Sequence, residues 1–334
     1  MIGTRYITKD RKPLETLLPL ESPLVLFIDP SDACCLSCNY CPTGDHKLMK
    51  QVGRPLKVMD IDSFKKIIDD LQKFETKIKV LRLYTHGEPL LNPNFCEMVS
   101  YAKKSNKIET VDTTTNGVLL NKDLNLKLVE SGIDRINISV NGVNSEQYKA
   151  FTNRDVNFGV YVNNIRHLYE NRKNTYLFIK ICGDVISEED QQKFLEIFEP
   201  IADSVGIEHS MSCWQDFNMK GNVIPNKNVD VYGNELKREI DVCPYTQYSL
   251  VVNSDCSVSL CFLDWNRKLI IDNALENNIY DIWHGSKLKE FQTIMLQGKR
   301  KDHFYCKKCD QMYRGNPSDI DKFANEILKR RNSI

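Results

Sequence analysis

The chain has 334 residues, which is enough for one large α/β domain and a smaller appendage. Its 45 lysines and arginines balance its 45 aspartates and glutamates, so no basic excess indicates a nucleic-acid partner and no acidic excess indicates disorder. The N-terminal segment lacks the apolar core of a signal peptide, and no apolar run reaches the ~18 residues that span a bilayer. We therefore expect a cytoplasmic protein without a membrane partner.

Strand-like and helix-like patterns alternate along the first two thirds of the chain. The predicted strands are residues 24–29, 78–84, 107–113, 134–140, 175–182 and 203–209. The predicted helices between them are residues 60–74, 94–104, 122–131, 157–172 and 187–198. Such alternation indicates a parallel sheet with helical crossovers. Six strands are fewer than the eight of a full barrel, so we predict an α/β fold built on a partial (β/α)6 barrel.

The unusual residues lie in the loops that follow the predicted strands. Cysteines follow the first strand, and Gly-Glu-Pro at 87–89 follows the second. Thr-Asn-Gly around Asn116 follows the third strand, and the segment from Ser139 ends the fourth. Ligands of such sheets bind at the loops after the carboxyl ends of the strands. The sequence therefore predicts a ligand site where these loops meet.

The pattern changes after residue 212, where polar residues and glycines replace the alternation. Residues 247–252 and 257–262 predict a hairpin, and residues 279–296 predict a helix. We predict five parts: an N-terminal extension 1–22, the barrel 23–212, a linker 213–242, a small cysteine-rich domain 243–317 and a C-terminal helix 318–334.

Twelve cysteines need an explanation, because disulfides are disfavoured in a reducing compartment. We interpret Cys96, Cys182 and Cys213 as small buried hydrophobic residues. The remaining cysteines fall into two groups, and regular spacings within both groups indicate metal binding.

The first group contains the pattern C-x3-C-x2-C at Cys34, Cys38 and Cys41. Cysteine thiolates are the usual ligands of iron–sulfur clusters, and three thiolates on a cubane leave one iron open. An open iron can coordinate a substrate or cofactor. The alternative is a zinc site, with His46 as its fourth ligand.

With the loop motifs above, the first cysteine group resembles the radical S-adenosylmethionine (SAM) superfamily. This resemblance implies a 4Fe-4S cluster whose open iron binds SAM, so that one electron releases a 5′-deoxyadenosyl radical. It also implies an electron donor such as flavodoxin or ferredoxin. His86 stands where the family usually has a glycine. The residues implied to contact SAM are Tyr40, Gly87, Glu88, Pro89, Asn116, Ser139 and Arg154.

The second group comprises Cys243, Cys261 and the C-x2-C pair Cys306 and Cys309. Four thiolates fully ligate an iron–sulfur cluster, although the spacing taken alone favours a structural zinc site. The arrangement resembles the SPASM/twitch extension of radical SAM enzymes, which implies an auxiliary 4Fe-4S cluster. No cysteine follows Cys309, so the single-cluster twitch form is the better match.

The overall layout resembles the butirosin-type aminocyclitol dehydrogenase and the aminoglycoside epimerases. The first resemblance implies dehydrogenation of a small sugar- or cyclitol-like alcohol, with the auxiliary cluster accepting an electron. The second implies epimerisation, with Cys213 or Cys256 as a hydrogen-atom donor. His86, Glu208 and His209 occupy loop positions, but the sequence assigns none of them as a base.

Two further alternatives remain open. One is a maturase that modifies a ribosomally made peptide, which ranks lower because few residues precede the first strand. The other is a zinc-binding interaction protein without radical chemistry.

Overall fold

One nine-stranded sheet organises the molecule, in a computed structural model that describes residues 12–211, 214–219, 228–236, 238–315 and 317–333. The strands are β1 (Val25–Ile28), β2 (Ile78–Arg82), β3 (Ile108–Thr115), β4 (Arg135–Val140), β5 (Tyr176–Cys182), β6 (Ser204–Glu208), β7 (Ser249–Val252), β8 (Ser257–Ser259) and β9 (Ile270–Asn273). Their order is β6-β5-β4-β3-β2-β1-β7-β8-β9. Strands β1 to β6 pair in parallel, which confirms the predicted six-stranded α/β arrangement.

Helices connect the consecutive parallel strands, and further helices precede β1 and follow β6. They are α1 (Leu14–Leu17), α2 (His46–Gln51), α3 (Ile61–Asp70), α4 (Phe95–Lys104), α5 (Lys122–Glu130), α6 (Ser145–Thr152), α7 (Phe158–Asn171), α8 (Glu188–Phe198), α9 (Tyr245–Tyr248), α10 (Ile279–Trp283), α11 (Ser286–Leu296) and α12 (Ala324–Asn332). The five crossover helices of the sequence prediction are all present. Helices α1, α2, α6 and α9 were not predicted, because each spans fewer than three turns and is too short to show a clear period.

Side-chain caps begin several of these helices. The Asp60 carboxylate accepts a hydrogen bond from Ser63 N at 2.8 Å, and Ser187 Oγ accepts one from Asp190 N at 3.1 Å. The helix predicted at 279–296 is instead two helices, because Gly285 begins α11 directly after α10. No helix in the described ranges has the length and apolar content needed to cross a membrane.

The cysteine-rich part of the chain extends the barrel sheet. Strand β7 pairs in parallel with β1, with Val25 opposite Ser249, and β8 and β9 then add antiparallel. The predicted hairpin is present but shorter, since β8 ends at Ser259 and Cys261 follows in a loop. Strand β9 was not predicted. The domain boundaries stay a proposal, because one sheet runs through both parts.

Successive side chains along each strand face alternately the hydrophobic core and the barrel interior. Leu26, Leu81, Ile136 and Leu177 belong to the hydrophobic core shared with the helices, so their sequence neighbours face the barrel interior. Strand register places Phe27, Arg82, Asp112, Arg135 and Tyr176 side by side across the interior. The interior is therefore lined by charged and aromatic side chains, as a site for a polar ligand requires.

A second hydrophobic cluster joins the two ends of the chain. Leu14 and Leu18 pack with Val242, Ile320 and Ile327, all of them buried. Helix α12 within the predicted C-terminal helix thus covers the N-terminal segment.

Candidate functional site

The loop that follows β1 carries the first cysteine group and is held by backbone contacts. Ser37 N donates to the carbonyl of Thr152 at 2.9 Å, and Asn39 N donates to the carbonyl of Phe151 at 3.0 Å. Gly44 lies so close that a Cβ there would approach Cys38 O to 2.6 Å. The end of helix α6 and the turn at Gly44 therefore define the shape of the cysteine loop.

The Gly87–Pro89 segment after β2 lies directly against this loop. Glu88 N donates to the carbonyl of Ala33 at 2.8 Å. A Cβ built on Gly87 would lie 1.9 Å from Ser31 O, which no side chain can tolerate. Only glycine allows the two backbones to approach this closely.

The Glu88 carboxylate fastens the β2 loop to the β3 loop. Its Oε1 accepts from the Thr115 hydroxyl at 2.6 Å and from Leu90 N at 3.1 Å, and its Oε2 accepts from Asn116 N at 2.8 Å. Burial raises the pKa of Glu88 to about 7. Through these three hydrogen bonds, the Glu88 side chain joins the loop after β2 to the loop after β3.

Asn116 connects the β3 loop to the cysteines. Its Nδ2 lies 3.7 Å from Cys34 Sγ and 3.4 Å from Cys35 Sγ. The Tyr40 hydroxyl donates to Asn141 Oδ1, just beyond the end of β4. The structure thus brings the loops that follow β1, β2, β3 and β4 to one edge of the sheet, as predicted from the strand order.

Ser139 and Arg154 lie at the same edge with fewer contacts. The carbonyl of Ser139 accepts from Asn141 Nδ2 at 3.4 Å. Arg154 is exposed, but the preceding Asn153 donates from Nδ2 to Ser37 O at 2.8 Å, which fixes the Arg154 backbone beside the cysteine loop. His46, the alternative zinc ligand, begins α2 and is exposed.

All four cysteines of the second group line one cavity. Arg300 lines it too, with its side chain only 1% exposed. The guanidinium donates to the carbonyl of Cys306 at 3.0 Å and to Glu239 Oε1 at 2.5 Å. Leu263 N donates to Cys261 Sγ at 3.4 Å, a contact that stabilises a thiolate.

The chemistry of this cavity fits an iron–sulfur cluster. Burial raises the pKa of Cys243, Cys261, Cys306 and Cys309, to about 12 for Cys309, so the thiolates need a bound cation. Throughout the described ranges, no three His, Cys, Asp or Glu side chains converge on one metal-ion position. Four cysteine thiols around one cavity match the full ligand set of an iron–sulfur cluster.

Of the two cysteines proposed as hydrogen-atom donors, the structure describes only Cys256. Cys213 lies outside the described residues. Cys256 occupies the β7–β8 turn with a φ of 66°, is 3% exposed, and packs in the hydrophobic core beside Ser63 of α3. Burial raises the pKa of its thiol. Its contact with an outer helix does not support a role in the barrel interior.

A buried ionic cluster that sequence reasoning missed links the two cysteine-bearing loops. The Asp32 carboxylate accepts from Arg54 at 3.1 Å and from Arg267 at 2.6 Å. The side chains of Asp32 and Arg54 are fully buried, and that of Arg267 is 10% exposed. Asp32 and Arg267 are 235 residues apart, so no local pattern could have indicated their contact.

Glu208 and His209, which the sequence places in loops, both contact charged neighbours. Glu208 pairs with Lys180 at 2.6 Å, and His209 Nδ1 lies 2.6 Å from Asp184 Oδ1. Lys180 lies opposite Ser139 in the strand register, so the Lys180–Glu208 pair faces the barrel interior.

Comparison with known proteins identifies this site. Residues 28–199, more than half of the chain, match the family described as "Radical SAM superfamily". The chain belongs to the radical SAM superfamily. Residues 243–310 of this radical SAM protein match SPASM, an iron–sulfur cluster-binding domain. It therefore uses SAM, a 4Fe-4S cluster and an auxiliary cluster, and the zinc alternatives are not supported.

Two curated relatives match about two fifths of this radical SAM protein. A GTP 3′,8-cyclase of Chlorobaculum tepidum is 37% identical over 125 residues, which is 37% of this chain and 35% of that protein. A GTP 3′,8-cyclase of Aquifex aeolicus is 36% identical over 142 residues, covering 42% of each chain. The matched region thus spans less than half the length of these relatives.

Solved structures share the fold over nearly the whole chain. BtrN in complex with AdoMet and 2-DOIA is 19% identical, with a TM-score of 0.55, and covers 86% of this chain and 92% of BtrN. The protein anSMEcpe with bound AdoMet and Cp18Cys peptide is 16% identical, with a TM-score of 0.58. The match covers 91% of this chain and 94% of anSMEcpe. At these identities the likeness shows a common fold.

Proposed function

We propose that this radical SAM protein dehydrogenates a sugar- or cyclitol-like alcohol in the cytoplasm. The observation that carries the proposal is the cavity lined by Cys243, Cys261, Cys306 and Cys309. Four thiolates complete the ligand set of an auxiliary cluster and leave no iron open for substrate. A fully ligated cluster suits electron transfer, and an oxidation requires an electron acceptor.

We assign the first cluster to Cys34, Cys38 and Cys41, which would hold it and leave one iron available to SAM. With SAM bound there, reduction by a flavodoxin- or ferredoxin-type donor would supply a 5′-deoxyadenosyl radical. Around it, the Gly87–Pro89 backbone, Asn116 and Ser139 border the cysteine loop and are assigned to SAM. We also assign to SAM the flanking residues Tyr40 and Arg154.

The reaction balances with these components. SAM and the two clusters held by their cysteines would supply hydrogen-atom abstraction from the carbinol carbon and an acceptor for the remaining electron, and the hydroxyl proton would leave to solvent. The products are a ketone and 5′-deoxyadenosine. The charged interior supports a polar substrate, because Arg82 lies 3.7 Å from Asp112 and Lys180 lies 2.6 Å from Glu208.

Cyclisation of GTP is the second candidate, and the names of the curated relatives favour it. These relatives match only 37% and 42% of this chain, so the similarity covers less than half of the protein. In addition, two buried arginines, Arg54 and Arg267, are bound to Asp32, which leaves their charge neutralised in part. Binding of a triphosphate to these two arginines would therefore compete with Asp32.

The test uses the full chain, purified and reconstituted without oxygen, with SAM and reduced flavodoxin. The panel is glucosamine, myo-inositol, 2-DOIA and GTP, with carbon-bound deuterium in each alcohol. We expect deuterium in 5′-deoxyadenosine and a ketone, trapped as an oxime, from one alcohol. A cyclised nucleotide, or an epimer that gains a solvent hydrogen, would contradict the proposal.

A further inference from the structure

His86 is a buried residue with a fixed backbone. It is 6% exposed and follows β2 directly before Gly87. Its N donates to Asp29 Oδ2 at 3.2 Å, and its carbonyl accepts from the Thr43 hydroxyl at 2.7 Å. The main chain is held from both sides, so the imidazole is confined to one region.

The imidazole has no hydrogen-bond partner in the described part of the chain. Both ring nitrogens, Nδ1 and Nε2, are buried without one. A neutral imidazole carries one donor and one acceptor, and burying both without partners costs free energy. Native proteins accept this cost where a ligand or water supplies the missing bonds.

The surroundings keep the ring neutral. Burial, then the charges of Arg54 and Arg267, hold the pKa of His86 well below its ordinary value. Trp214 lies beside it, with the ring centroids 6.0 Å apart. A neutral ring against an aromatic wall binds hydroxyl groups better than anions, because it offers a donor and an acceptor without a charge.

His86 is connected through Asp32 and Arg267 to the loops that carry Cys34 and Cys261. Asp32, which interacts electrostatically with His86, lies two residues before Cys34. Arg267, bound to Asp32, lies six residues after Cys261. The stretch of chain around Cys261 holds three more buried polar atoms without a hydrogen-bond partner in the described residues: Ser254 Oγ, Asn266 Oδ1 and Arg267 Nε. Unsatisfied polar atoms thus accumulate where the two loops meet.

We propose that His86 contacts the substrate, accepting a hydrogen bond from one hydroxyl and donating to a second. This inference rests on the proposed function and deepens it, since it selects compounds with neighbouring hydroxyl groups. His86 is then a specificity-determining residue, and no proton is transferred to it.

The test compares His86→Phe, which keeps the ring volume, with His86→Asn, which keeps a donor and an acceptor. Measured quantities are KM and kcat for the panel alcohol that the wild type oxidises, and SAM cleavage without alcohol. For His86→Phe we expect KM to rise about tenfold per lost hydrogen bond, with SAM cleavage unchanged. His86→Asn should recover part of the loss. His284→Phe is the matched control, because His284 packs between Phe74 and Tyr280.

A wild-type KM in His86→Phe would overturn the inference. If that variant does not fold, as iron content and SAM affinity would reveal, His86→Gly restores the usual family residue and takes its place. If the wild type oxidises no alcohol, the proposed function fails separately. Equilibrium dialysis with labelled glucosamine, myo-inositol and GTP then tests the inference by itself. It is supported if His86→Phe binds glucosamine or myo-inositol more weakly than the wild type does. It is overturned if both proteins bind these two compounds equally, or if neither protein binds them.

Discussion

At the scale of single residues, the cysteine loop depends on close backbone approach. Gly87 is the tightest case, since a Cβ would lie 1.9 Å from Ser31 O and 2.5 Å from Ala33 O. Both contacts are with main-chain oxygens, which cannot rotate away as a side chain could. A methyl group at this position would therefore move the loop that carries Cys34.

We predict that Gly87→Ala lowers the iron content of the first cluster and removes SAM cleavage. The physical reason is displacement of the cysteine loop by the added methyl group. The auxiliary cysteines should still bind iron, so the reconstituted variant should keep about half of its iron. The measurements are iron per chain and 5′-deoxyadenosine formation.

Gly159→Ala is the control, because the nearest atom to a Cβ there lies 3.6 Å away. Full SAM cleavage by Gly87→Ala would show that the GEP backbone does not govern the cysteine loop.

At the scale of elements, Asp70 at the end of α3 connects the barrel to the cysteine-rich part. Its Oδ2 accepts from Ile279 N at 3.1 Å, and its Oδ1 accepts from Asn278 Nδ2 at 2.8 Å. Lys66 approaches the same carboxylate at 2.8 Å. The first turn of α10 is therefore held by a helix of the barrel, and the amide of Ile279 has its partner there.

We predict that Asp70→Ala lowers the free energy of unfolding by about 2 kcal/mol, because a buried amide and the N-cap side chain lose their acceptor. Urea denaturation followed by circular dichroism measures the change. Asp281→Ala is the control, since its pair with Lys73 is 3.3 Å long and largely exposed. Equal midpoints for Asp70→Ala and the wild type would exclude this connection as a source of stability.

At the scale of the whole molecule, two features join the parts that carry the two cysteine groups. Strand β7 continues the sheet beside β1, and Arg267 binds Asp32 in the cysteine loop. Because Asp32 is fully buried, its charge requires the arginines. The pairing therefore fixes the loop after β8 relative to the loop after β1.

We predict that Arg267→Ala leaves SAM cleavage measurable but lowers the yield of oxidised product per 5′-deoxyadenosine several-fold. Arg54 still neutralises Asp32, whereas the loop that follows Cys261 loses its attachment. The ratio of ketone to 5′-deoxyadenosine is the measurement. Lys268→Ala, which breaks the largely exposed pair with Asp216, should keep the wild-type ratio. An unchanged ratio in Arg267→Ala would mean that the two loops hold their places without the ion pair.

Local patterns in the sequence were sufficient for the six parallel strands, the crossover helices and the first cysteine group. Strand alternation, helical periodicity and the spacing of Cys34, Cys38 and Cys41 all operate over a few residues, so they can be recognised along the chain. The order of the strands then implied that their loops share one edge, and the contacts of Glu88 and Asn116 confirm this.

Only the tertiary structure decided how the cysteine-rich region attaches and what surrounds the site. The pairing of β7 with β1, the gathering of Cys243 and Cys261 with Cys306 and Cys309, and the Asp32–Arg267 contact join distant segments. A periodic pattern states which face of an element is buried but not which distant element covers it. Long-range neighbours are chosen by packing and charge pairing across the whole chain, which is why they emerged only from the fold.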